Sequence, residues 1–239
     1  MKKVIRFVKH ISDDDAFGIA AKTAFYFLLS LFPLMMVAGW ALSLADWSLD
    51  ALEGFLPGDL LQIFSVIDTP APFSNPILAV TAFWAASSGV WALMRGVNHA
   101  YNGHNSSLSP TIKAFVKARG MAMGFTLGFL IVLVLTIAFL AIDRWVMMFS
   151  VGGAIFLLLF ALYSFTPGTS AKPARAFWTA ALATGGWMAV SWGFDIYMRY
   201  FARYDALYGS IGAFMGITIW VFLICFVIII GAELGGYKE

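Results

Sequence analysis

Thr23, Tyr26, Ser30 and Pro33 follow one another at steps of three, four and three in the first long apolar run of the chain. That spacing sets them on one face of a helix. Three hydroxyl groups on one face can line a polar path through an apolar segment. Pro33 adds a weak point, because its ring clashes with the carbonyl four residues back, that of Leu29. A plainer role also suits these residues, with Ser30 and Tyr26 bonding to carbonyls and neighbouring helices. Glu233 closes the last apolar run, in "GAELGG". It stands at a helix C-terminus, where the dipole disfavours an anion, so a basic partner is expected: Lys22, Arg95 or Arg175. Acids within membrane segments are functional candidates by default.

A third group lies in "FDIYMRYFARYDALYG", which sets Arg199 and Arg203 among Tyr197, Tyr200, Tyr204 and Tyr208. The tyrosines read first as an aromatic belt at a membrane–water interface. Arg199, Arg203, Tyr204 and Tyr208 are also a candidate contact for an anionic lipid headgroup. Enzymatic motifs do not appear. His10, His99 and His104 have no ligand spacing between them, and there is no G-x-S-x-G, P-loop or H-E-x-x-H. Cys225 is the single cysteine, so no intrachain disulfide and no Cys/His zinc pattern can form. The expectation is a protein without catalytic residues, metal or cofactor.

The elements that must hold these residues follow from composition. Of 239 residues, 61% are hydrophobic and only 12% charged, with a mean hydropathy of +0.85. Soluble domains carry about 25% charged residues. A soluble fold cannot hide so much apolar side chain, so a polytopic membrane protein is expected. Crossing a bilayer takes roughly 20 apolar residues. Six runs qualify: Ala24–Leu44, Ile77–Met94, Met121–Ile142, Trp145–Phe165, Phe177–Phe194 and Ile211–Gly231. None alternates as barrel strands do. The expected fold is all-α, one six-helix membrane domain over residues 1–239. Proline is tolerated inside such a helix because neighbours can satisfy the freed carbonyl.

Basic residues sort by side. Of the 15, only Arg144, Arg199 and Arg203 fall on the side opposite the termini. The positive-inside rule then puts both termini in the cytoplasm. Residues 1–22 read as a cytoplasmic basic segment. Within it, "MKKVIRFVKHIS" gathers Val4, Val8 and Ile11 on one face of an interfacial amphipathic helix. The first apolar run is expected to act as an uncleaved anchor rather than a signal peptide. The segment 45–76 is acidic and carries no basic residue. Its apolar residues recur at helical spacing, which predicts two short external amphipathic helices broken at Pro57-Gly58.

Small residues recur at packing intervals. Gly120, Gly124 and Gly128 form two overlapping G-x-x-x-G units, and Gly212 and Gly216 form another. Such stripes let helix backbones approach closely. They serve packing within the bundle or a homo-oligomer. Net charge is only +2, so no general affinity for nucleic acid is implied.

The stretches "AAKTAFYFLLSLFP", "YDALYGSIGAFMGITIWVF" and "GAEL" resemble the signatures of the YihY/virulence factor BrkB family of bacterial inner-membrane proteins. "YSFTPG" and "KPARAFW" resemble that family's tyrosine–proline segment after the fourth span. The resemblance runs from Ala16 to Leu234. It implies a six-span protein of the bacterial cytoplasmic membrane with an envelope role, in moving lipids or other amphiphiles. Members were once labelled ribonuclease BN. On matching positions the resemblance singles out Ser30, Pro33, Tyr208, Gly209 and Glu233. Membrane lipids are the expected partners. Three functions are weighed: an amphiphile transporter, a scaffold that moves nothing, and a nuclease. The nuclease reading fares worst, because it needs a metal or acid–base site over a basic groove.

Overall fold

A computed structural model describes residues 15–43, 76–103, 111–138, 144–167, 173–201 and 205–236. Among them lie six α-helices and no strand: α1 (Ala16–Ser43), α2 (Pro76–Asn102), α3 (Ile112–Ala138), α4 (Arg144–Phe165), α5 (Pro173–Phe201) and α6 (Asp205–Gly236). The expected interfacial helix near the N-terminus lies outside the described residues. So does the external segment 45–76, apart from Pro76, the first residue of α2.

Each expected apolar run falls largely within one helix, and most helices run past it. The first helix differs most, starting at Ala16 instead of near Ala24. Asp15 explains the early start. Its Oδ1 accepts a 3.2 Å hydrogen bond from the Gly18 N–H, the geometry of an N-cap. Ala16, Ala20, Ala21 and Ala24 follow, and alanine costs a helix least. Lys22 and Thr23 are therefore helical. Pro33 does not break α1, which continues for 28 residues through it.

Among the described residues, three stretches are long and apolar enough to cross a membrane: Ala16–Leu34, Ile112–Val132 and Phe214–Gly236. In α4 the apolar part, Phe149–Phe165, is shorter. The middles of α2 and α5 are diluted by residues such as Ser87, Ser88 and Arg95, or Thr179, Thr184 and Ser191.

Contacts set the helix directions. Ile19 and Thr23 of α1 meet Gly96 of α2, whereas Phe27 and Ser30 meet Gly89, so α1 and α2 are antiparallel. Ile229 of α6 meets Gly96, and Gly236 meets Ala100 and Tyr101, so α2 and α6 are parallel. Against α6, α5 runs the other way: Ser191 bonds to Trp220, and Ala183 lies by Gly231. The main core joins α2 to α6 around Met94, Val97, Tyr163, Ala183 and Ile228. A second cluster sets the alanine face of α1 on Val221, Cys225 and Ile229 of α6. A third packs Leu34 and Val37 against Ala86 and Leu130.

Glycines make the close approaches. A Cβ on Gly89 would sit 2.9 Å from the Phe27 Cα, and one on Gly236 would sit 2.8 Å from the Ala100 carbonyl. Both neighbours are backbone and cannot swing aside.

Candidate functional site

Two cavities among the described residues differ in chemistry. The central one has a volume of about 210 Å³. All six helices contribute to its wall, from Phe27 and Leu93 to Phe129, Leu159, Trp187 and Ile224. Its surface is apolar almost throughout. A cavity of that kind excludes water and accepts apolar groups.

The second cavity, about 320 Å³, opens between α1 and α2 at the end where α1 begins and α2 ends. Its wall combines Lys22, Thr23 and Tyr26 of α1 with Arg95 and His99 of α2, and Asp15 at the start of α1. The Arg95 guanidinium lies over the Tyr26 ring, 5.7 Å from its centroid. An aromatic face attracts such a cation and holds it in place. The two cavities share no wall residue.

The hydroxyl face of α1 divides between these environments. Thr23 is buried and Tyr26 half-exposed, and both line the polar cavity. Ser30 is buried at the α1–α2 contact, where its Oγ donates to the Phe27 carbonyl at 2.7 Å and faces Gly89. Pro33 is half-buried further along, between Leu31 and Leu34 of the third cluster.

Glu233 is wholly buried in α6. It stands between Ile229, which meets Gly96, and Gly236, which meets Ala100. That places it at the level of His99 along α2, outside both cavity walls. Of its three expected partners, Lys22 and Arg95 line the polar cavity. Arg175 instead donates to the Gly235 carbonyl at 3.3 Å, satisfying a free carbonyl at the end of α6.

Arg199 lies in α5 with a side chain outside the described residues, as do Arg203 and Tyr204 altogether. Tyr208, Gly209 and Gly212 belong to α6, but their surroundings lie outside the described residues too. Gly216 is buried. In α3 a Cβ on Gly120 or Gly124 would meet nothing within 4 Å, whereas one on Gly128 would touch Leu158 at 3.2 Å. Among the described residues, two of the three stripe glycines of α3 thus have no neighbouring helix against them.

Sequence reasoning missed Arg119. It lies in α3 and is only 6% exposed. Its guanidinium sits 4.2 Å from the Trp84 ring centroid and 5.8 Å from that of Trp91. Its Nη2 donates to the Trp84 carbonyl and to Ser88 Oγ. The signal was its phase: Ala118, Ala122 and Thr126 share the buried side of α3. Asn98 was another surprise. Its Nδ2 donates to the Pro167 carbonyl at 2.7 Å, tying α2 to the end of α4. Among the described residues, no three of His, Cys, Asp and Glu gather as a metal site would require.

Comparison with known proteins adds two similarities. A family model described as Virulence factor BrkB matches residues 7–236. A ribonuclease-like protein of Bacillus subtilis (strain 168), YfkH, is 30% identical over 242 residues, covering 90% of this chain and 87% of its own length. No solved structure matches.

Proposed function

The chain belongs to the Virulence factor BrkB family of membrane proteins, and from that premise we propose that it moves lipids or other amphiphiles across the bacterial cytoplasmic membrane. In this reading all six helices span the bilayer with both termini inside. The observation that carries it is the central apolar cavity, to which every helix contributes. A bundle packed only for stability fills such a space with side chains. Here the space is left open and apolar, and it suits an acyl chain.

The stripe of Thr23, Tyr26, Ser30 and Pro33, with Glu233 behind it, is the proposed polar side of the pathway. Arg199, Arg203, Tyr204 and Tyr208 are proposed to hold headgroups at the outer interface. No catalytic chemistry and no nucleic-acid partner belong to this reading. The name of the Bacillus relative points to RNA. The basic residues of this chain, however, are spread over separate segments rather than gathered in one groove.

Gly120 and Gly124 favour a second reading. They offer a close-packing face with nothing within 4 Å of an added Cβ among the described residues. A scaffold that docks a partner helix, or a second copy, would use such a face.

Proteoliposomes separate the two. Fluorescent phospholipids should cross faster with the wild-type protein than in empty vesicles. Glu233→Gln and the cavity-filling Leu93→Trp should slow them. Movement no faster than in empty vesicles would sink the transport reading and leave the scaffold.

A further inference from the structure

We propose that the cavity between α1 and α2 is a binding site for the phosphate of an anionic lipid headgroup, held by Lys22 and Arg95 with His99, Thr23 and Tyr26 beside them. The identity of the ligand rests on the lipid reading above, but binding does not require that anything be transported.

Charge is the first support. Lys22 and Arg95 enter the cavity from opposite helices, and His99 adds a third nitrogen base. Asp15 is the acid in the wall, and its carboxylate is turned to the Gly18 N–H at the start of α1. It is already engaged in capping and leaves the two cations to a ligand. Phosphate is the anion that such a set suits. Guanidinium and ammonium form short charge-assisted hydrogen bonds with its oxygens, and hydroxyls from Thr23 and Tyr26 complete the shell.

Preorganisation is the second. The Tyr26 ring holds the Arg95 guanidinium at the mouth of the cavity. Arg95 has one stacking partner already, so less side-chain freedom is lost when it binds an anion.

The third support selects a lipid over free phosphate. From Lys22 the same face of α1 continues through Tyr26 to Leu29, which is 57% exposed. On α2 the corresponding face is taken up by α3, whose Arg119 sits over Trp84 and bonds to Ser88, so the apolar lead is that of α1. Along α1 the surface thus changes from cationic to apolar. An amphiphile with its phosphate in the cavity lays its chains on that apolar surface. Free phosphate has no use for it.

Native mass spectrometry of the full chain in detergent tests this. The probes are phosphatidylglycerol and phosphatidylcholine of matched chains, alone and with inorganic phosphate. The wild-type chain should prefer phosphatidylglycerol. Lys22→Gln together with Arg95→Gln should lower that preference by roughly tenfold, the equivalent of one charge-assisted hydrogen bond. Lys113→Gln with Lys117→Gln, exposed but outside the cavity, should leave it intact. An unchanged melting temperature shows that each pair still folds. A preference that survives the Lys22/Arg95 pair overturns the proposal. One that falls equally with the Lys113/Lys117 pair does so too, since the attraction is then diffuse. If inorganic phosphate displaces the lipid only in chains that keep Lys22 and Arg95, the phosphate site is supported and the headgroup confirmed as its occupant. Phosphate that binds there without any lipid preference supports the site and overturns the lipid. Lost transport with intact preference removes the transport reading alone.

Discussion

The Tyr163 hydroxyl donates a 2.9 Å hydrogen bond to the carbonyl of Ile228, joining α4 to α6 in the fully buried centre of the bundle. Gly231 makes room for it: a Cβ there would stand 2.8 Å from that hydroxyl and 3.1 Å from the Ala183 Cβ. Tyr163→Phe should cost about 1 kcal/mol, the ordinary net worth of one such bond. Gly231→Ala should cost more, and the two should couple. With the hydroxyl gone, the added methyl has space, so the double variant should be more stable than the sum of the singles implies. Unfolding in mixed detergent micelles measures the cycle. Strict additivity would show that the methyl is resisted by Ala183 instead.

Glycines on different faces should respond in opposite ways. Gly89→Ala presses a methyl on the α1 backbone at Phe27 and should destabilise by about 1–3 kcal/mol. Gly120→Ala meets nothing and should stabilise α3 by about 0.5–1 kcal/mol. A loss of stability at Gly120, accompanied by a smaller particle in light scattering, would reveal a second copy docked on that face.

Arg119→Lys is not a mild change. An ammonium cannot stack flat between Trp84 and Trp91 while bonding to the Trp84 carbonyl. The expected loss is about 1.5–3 kcal/mol, the range for hydrogen bonds to charged groups. Thermal unfolding in detergent reads it. A wild-type melting temperature would mean that the stacking contributes nothing.

Pro33→Ala should insert and fold normally, since α1 is already continuous through this position. Restoring the N–H should tighten the turn that carries Leu29 and Ser30, and lipid movement should slow. Complementation at wild-type level would reduce Pro33 to packing.

Membrane-impermeant amine reagents test the proposed topology. Lys238 should react only after the cells are opened. Reaction at Lys238 in intact cells would place the C-terminus outside.

The helices were legible because apolar runs of bilayer length leave little choice of structure. Their ends were not, because they rest on single residues. Asp15 adds two turns to α1 by capping it, and nothing in the apolar pattern announces that. The hydroxyl stripe was read correctly as one face of a helix. A helix face nevertheless passes several neighbours along its length, so Thr23 and Tyr26 meet a cavity whereas Ser30 meets Gly89. The G-x-x-x-G pattern pointed to α3. Close approaches between helices belong instead to scattered glycines such as Gly89, Gly96, Gly231 and Gly235. Spacing within a helix cannot reveal which residue of another helix lies across from it.

Cys225 has a practical consequence. The only thiol of the chain is buried where α6 receives the alanine face of α1. It also lines the central cavity, so a maleimide reaches it only when that cavity or the seam opens. The native, unlabelled protein therefore carries its own clock. The rate at which Cys225 becomes alkylated times that opening, and no engineered cysteine is needed to read it.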